Sequence, residues 1–159
     1  FIPLLPARNL RIRRLVYLAA LLPEPGASFN DQIQRDPSVF SHYDARDDAV
    51  VYPDGSASVP EARALEVFYH DCPRELGVEA AAHLRRQYWR HTQEITPLSQ
   101  WPDVRSDYLL CRADRSVNPD WSRRVARQRL DSKPLEIDGG HSPFLGRPTE
   151  LAELLVSGH

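Results

Sequence analysis

The sequence predicts an α/β fold, a parallel sheet flanked by helices with a helical lid inserted into it. Three observations carry that expectation. Leu15 to Leu22 is a continuous apolar run, the pattern of a parallel strand covered on both faces. Near the C-terminus, apolar segments from Tyr108 and from Leu135 each run into a loop and then into a helical pattern. Residues 24–100, which lie between, are far too long for a plain crossover joining neighbouring strands. The expected division is a core from 1–23 and 101–159, interrupted by a lid from 24–100.

Taken in order, residues 1–9 read as the end of a helix, with Pro3 tolerable only in a first turn. The basic cluster Arg11, Arg13 and Arg14 precedes the first strand, and Pro23-Glu24-Pro25-Gly26 stops it. Residues 31–60 are polar, broken by Pro37, Pro53 and Gly55, and read as loop with at most one helical turn. A helix is expected over residues 61–71, where Ala62, Leu65 and Phe68 fall at helical spacing behind Pro60. A second is expected over 78–94, with Leu84 and Tyr88 sharing a face. The core resumes with a strand over 104–114. Asn118 then caps a helix over 119–130, with Pro119 in its first turn. A strand over 135–138 follows. A helix over 148–156 ends the pattern, with Leu151, Leu154 and Leu155 expected to face inward.

Composition narrows the function classes. A chain of 159 residues, 42% hydrophobic and 26% charged, suits one ordinary globular domain or part of a larger one. A net charge of −2 supplies no field to draw it to nucleic acid or to an anionic membrane. No apolar run approaches the roughly 20 residues that cross a bilayer. The start lacks the basic region and small-residue cleavage site of a signal peptide, so a cytoplasmic location is the default. Cys72 and Cys111 form no metal or redox spacing. Phe1 opens the sequence and Met is absent, which points to a chain that begins inside a longer one.

Two titratable residues stand out. Asp114 follows the strand over 104–114, and His141 follows Gly139-Gly140 after the strand over 135–138. In a shared parallel sheet both loops leave at one edge, where open α/β folds place their chemistry. An Asp and a His delivered there are the orienting acid and general base of a triad. Position alone equally allows a turn Asp and a surface-loop His. The order Asp, helix, His is nonetheless the expected tail of a Ser…Asp…His sequence. Other clusters are weaker. His70, Asp71 and Cys72 are adjacent, which suits a structural role better than metal ligation. His83 and His91 lie eight apart, too far for one ion on a helix. Cys72 has no sharp turn or helix N-terminus to activate it as a nucleophile.

Leu15 to Gly26 resembles the strand that follows the nucleophile turn in bacterial α/β-hydrolases. Phe68-Tyr69-His70-Asp71-Cys72-Pro73 resembles a lid motif of the esterases related to plant methylesterases and hydroxynitrile lyases. Leu110-Cys111-Arg112-Ala113-Asp114-Arg115 is similar to their acid loop, and Gly139-Gly140-His141-Ser142-Pro143-Phe144 to their His loop. The resemblance implies that the chain is the C-terminal part of an α/β-hydrolase sheet, with Asp114 and His141 as triad acid and base. It departs from the pattern in one respect: no Gly-x-Ser-x-Gly occurs, and Ser142 sits in no strand-to-helix elbow. The nucleophile Ser and the oxyanion-hole amides are therefore expected upstream, and this chain alone is expected to be inactive.

The implied activity is a serine-type esterase for small apolar or aromatic esters, since Phe68, Tyr69, Tyr88, Trp89 and Trp101 furnish rings for a lid pocket. No metal or organic cofactor is implied. A lyase of the same fold is disfavoured: the plant lyases carry a Lys directly after the catalytic His, and here Ser142 stands there, with Lys133 the only lysine. The alternative from another class is a non-catalytic half-domain whose open sheet edge a partner chain or a homo-oligomer covers.

Overall fold

The structure, a computed structural model, describes residues 2–4 and 11–157. A short 3-10 turn at Ile2–Leu4 is what it shows of the expected N-terminal helix end; the rest of that stretch lies outside the described residues.

Three parallel strands form the main sheet: β1 (Leu15–Leu18), β5 (Ser106–Cys111) and β6 (Leu135–Ile137), in the order β1-β5-β6. Leu15 pairs with Ser106, and Leu109 with Leu135. Alternate side chains enter different layers. Leu15, Tyr17, Tyr108 and Leu110 pack with Trp121 and Val125 of α5 (Pro119–Leu130). Leu109, Cys111 and Ile137 pack with Leu151 of α7 (Pro148–Ser157), joined by the half-buried Val16, Leu18 and Leu154. With a helix on each face, the strands lose their polar sides, which is why they read as apolar runs rather than alternations. The expected parallel sheet with flanking helices is therefore what the chain forms.

β1 is shorter than its apolar run. Ala19 takes a left-handed φ of 43°, which turns the chain out of the ladder after its N–H has bonded Leu109. Leu22 is then buried off the sheet, and its carbonyl accepts from Gln32 Nε2 and from the Arg129 guanidinium. At the other end of the fold, Leu155 is exposed rather than inward-facing. Its carbonyl accepts from Arg14 Nη1 at 2.8 Å, so the last turn of α7 is fastened through its backbone instead.

The segment between β1 and β5 departs most from expectation. The supposed loop over 31–60 holds α1 (Phe29–Arg35), α2 (Ala45–Asp48), β2 (Val50–Val51) and β3 (Ser56–Ser58). Ser28 and Asp31 form a capping box at the start of α1, which supplies a helix signal that the surrounding polarity obscures. The expected helix over 61–71 ends early as α3 (Glu61–Val67). The helix expected over 78–94 is instead α4 (Arg74–Ala82), followed by β4 (Gln87–Tyr88) and a 3-10 turn at Trp89–Gln93. β4 pairs antiparallel with β3, and β3 with β2, so the segment is not purely helical. Arg86 lies over the Tyr52 ring at 3.5 Å, and Leu84 and Tyr88 are exposed. They share no buried helix face.

Candidate active site

Because β5 and β6 are adjacent and parallel, their exit loops leave the same edge of the sheet. Cys111, the last residue of β5, lies in the core, where burial and then the nearby Asp114 and Asp71 carboxylates push its thiol up to about 12. It is a packing residue. Three residues on, Asp114 is buried with both carboxylate oxygens engaged. Oδ1 accepts from the backbone N–H of Ser116 at 2.7 Å and of Val117 at 3.0 Å. Oδ2 faces His141 Nδ1 at 2.9 Å. Val117 is followed by Asn118, whose side chain accepts from Asp120 N–H and caps α5 as its sequence position predicts.

Below this loop, the Tyr108 hydroxyl donates to the Ala20 carbonyl at 2.7 Å and contacts Ser122 Oγ at 3.1 Å. Its phenol is buried, and burial raises its pKa well above the ordinary value. It ties the end of β1 to β5 as a neutral group rather than serving as a base.

His141 leaves β6 through a turn in which Gly139 takes a φ of +102°. Its side chain keeps 26% of its exposure, whereas that of Asp114 keeps 3%. A buried carboxylate on one ring nitrogen and partial exposure of the ring fit an imidazole that must reach a reactant. The Phe68 ring packs on His141 with centroids 5.6 Å apart, and Tyr43 packs on Phe68 at 5.4 Å. Tyr43 also lines a cavity of about 920 Å³, together with Phe29, Phe40 and Trp89 and the ion-paired Asp48 and Arg63. Asp114 and His141 are not among its lining residues; the ring series from Tyr43 through Phe68 links the two places.

The structure thus brings together Asp114 and His141, sets Phe68, His70, Asp71 and Cys72 against their loops, and disperses the other candidates. Trp101 packs edge-on against Tyr17 of the core at 5.8 Å instead of joining a pocket in the inserted segment, and Tyr88 is exposed. His83 bonds the Glu79 carbonyl, His91 stacks near Trp89, and no group of three potential metal ligands occurs among the described residues. Ser142 is buried ahead of α6 (Pro143–Gly146), and its carbonyl accepts from the Cys72 thiol. Sequence reasoning missed the contacts of Phe68 and Asp71 with the His141 loop, which join residues about seventy positions apart. Among the described residues no helix is long and apolar enough to cross a membrane.

A doubly covered parallel sheet with an Asp–His pair at the carboxyl ends of adjacent strands defines an α/β fold of the open, parallel class, in which ligands commonly bind at that edge. The chain belongs to the alpha/beta hydrolase family, whose pattern it matches over residues 2–154. No curated protein matches it. Among solved structures it is similar to polyneuridine aldehyde esterase, at 19% identity and a TM-score of 0.68, over 92% of this chain and 62% of that one. Tomato methylketone synthase I in complex with 2-tridecanone is similar at 17% identity and a TM-score of 0.68, over 92% and 61% of the two chains. A methylesterase from Arabidopsis is similar at 20% identity and a TM-score of 0.60, over 92% and 59%. The chain therefore spans about three fifths of the length of these structures, and the likeness is one of fold.

Proposed function

We propose that this chain carries the acid–base half of a serine-type esterase site, with Asp114 as the orienting acid and His141 as the general base. The observation that carries the proposal is the 2.9 Å contact between Asp114 Oδ2 and His141 Nδ1 at the strand-exit edge. With Nδ1–H donated to the carboxylate, Nε2 is the nitrogen left to exchange a proton. A Ser from a segment upstream of β1 attacks the ester carbonyl and yields its proton to Nε2. Nε2 returns that proton to the departing alcohol. A water, deprotonated in turn by Nε2, attacks the acyl carbon, and the acid leaves as the C–Oγ bond breaks and Nε2 returns the proton to Ser Oγ. The upstream position of the Ser is supported by the absence of a Gly-x-Ser-x-Gly turn here and by the partial coverage of the similar structures.

Residues 24–100 act as the lid over this edge. The rings lining the cavity beside Tyr43 favour a small ester with an apolar or aromatic part. The test is to label the full-length protein with a fluorophosphonate and assay it on aryl and alkyl esters. Labelling and turnover that both collapse in His141→Ala are the expected outcome. A full-length protein that neither labels nor hydrolyses any ester would overturn the proposal and leave a non-catalytic domain.

A further inference from the structure

The stretch between α3 and α4 places three consecutive side chains against the two site loops. His70 Nε2 lies 3.1 Å from the carbonyl of Ala113, the residue before the acid. Asp71 Oδ2 accepts from the backbone N–H of Gly140, the residue before the base, at 2.8 Å. The Cys72 thiol reaches the carbonyl of Ser142, the residue after the base, at 3.8 Å. His141 is thus bracketed on both sides by one tripeptide that belongs to the inserted segment.

The fit is close. A Cβ on Gly140 would lie 2.6 Å from Asp71 Oδ1 and 2.6 Å from His70 Nε2, and one on Gly139 would lie 2.5 Å from Asp71 Oδ2. The two glycines therefore do more than permit a turn: they admit a carboxylate directly against the backbone. Asp71 Oδ1 is buried and has no hydrogen-bond partner among the described residues. A group serving stability alone is normally satisfied at both oxygens, because an unmade bond in the interior is unfavourable. Here one oxygen is left without a partner while the other holds the amide that leads into His141.

From this we infer that Asp71 is a positioning residue for His141. It fixes the Gly139-Gly140 turn so that Nδ1 stays on Asp114, which makes the inserted segment part of the apparatus that aims the base. The inference rests on the proposed role of His141 and adds a dependence of that role on a residue 69 positions away from Gly140. Without the carboxylate the Gly140 N–H loses its anchor, the turn keeps the bond from the Ala113 N–H to the Gly139 carbonyl, and the imidazole samples orientations in which the Asp114 contact is lost. A misplacement on the order of 1 Å lowers turnover by about 10²-fold.

The test uses the full-length protein with Asp71→Ala and Asp71→Asn. Asn keeps an oxygen for the Gly140 N–H, whereas Ala does not. The expected result is a fall in kcat of about 10²-fold for Ala with KM little changed, and near-complete retention for Asn. Proton NMR of the His141 Nδ1–H reads the same geometry without turnover: a low-field signal in the wild type and Asn variant, broadened by exchange in Ala. Should Asp71→Ala not fold, Asp71→Ser takes its place, since the shorter side chain does not reach Gly140. Loss of stability with kcat and the Nδ1–H signal unchanged would overturn the positioning role. So would equal losses in the Asn and Ala variants. Activity that survives His141→Ala would defeat the esterase mechanism instead, while the NMR result would still decide whether Asp71 holds the ring.

Discussion

The loops that present Asp114 and His141 leave neighbouring strands at one sheet edge, yet they are fastened in different ways. The Asp114 loop is held mainly through main-chain amides and carbonyls. Its carboxylate accepts from amides two and three residues ahead, and residues 39–42 pair with 115–118 through main-chain bonds such as His42 N–H to the Arg115 carbonyl at 2.9 Å. The His141 loop takes one main-chain bond, from the Ala113 N–H to the Gly139 carbonyl at 2.9 Å, and is met on either side of His141 by the side chains of Asp71 and Cys72. Main-chain pairing tolerates most substitutions, because every residue but proline has the same donor and acceptor. Side-chain bracketing does not. Asp114 is therefore secured mainly through main-chain groups, and His141 more through the identity of distant side chains.

The contrast is sharpest in charge. Asp114→Asn retains an oxygen for the Ser116 and Val117 amides, so its loop should keep its shape and the melting temperature should change little. On the proposed esterase mechanism, loss of the carboxylate from the imidazole should nevertheless lower kcat of the full-length protein by about 10⁴-fold. An activity loss within tenfold would show that Asp114 is a turn residue and no more. At the base loop a backbone change should matter most. Gly140→Ala drives a methyl into Asp71 and His70, and urea denaturation should record a loss of about 1–3 kcal/mol. Removing the Asp71 carboxylate as well should recover part of that loss, giving a non-additive double mutant. Additive losses would mean that Asp71 does not seat this turn.

Two smaller effects bear on the supporting elements. Asn118→Ala removes the cap of α5 and should lower stability by about 1 kcal/mol while leaving the proposed ester hydrolysis intact, since Asp114 is held by amides ahead of the cap. On β6, Arg123 first and then Arg112 hydrogen-bond Glu136, holding its carboxyl at about 2 against the ordinary 4.5. The depressed value means that the folded state binds this proton less readily than the unfolded one. The contribution is therefore complete above about pH 4.5 and lost as pH falls toward about 2. Glu136→Gln should flatten the stability profile across that window, and an unchanged slope would remove these ion pairs from the account of acid sensitivity.

The core was legible because its strands are continuous apolar runs and its helices carry start signals and a periodic apolar face. The apolar run over 108–111, the Asn118-Pro119 start of α5 and the spacing of Leu151 and Leu154 all match the structure, and they place Asp114 and His141. The inserted segment was less legible for a physical reason. Strands of two or three residues, such as Gln87–Tyr88, have no period to detect, and their pairing partners decide their conformation. The helix expected to run through Leu84 and Tyr88 fails because no buried face receives those residues. The bond from the Gly140 N–H to Asp71 leaves no local mark at all; it exists only once two segments 69 positions apart have met.

That last point extends to how the molecule assembles. Among the described residues β1 pairs only with β5, and the Tyr108–Ala20 bond joins residues 88 positions apart. A flexible connection of that length carries a closure entropy that pairing four residues recovers poorly. Compaction of the intervening residues brings those strands within reach and shortens the effective connection. Parallel pairing of distant strands is slow for the same reason. The ladder between β1 and β5 should thus be among the last parts to form, and substitutions that loosen the α3–α4 pair should slow refolding more than their effect on final stability suggests.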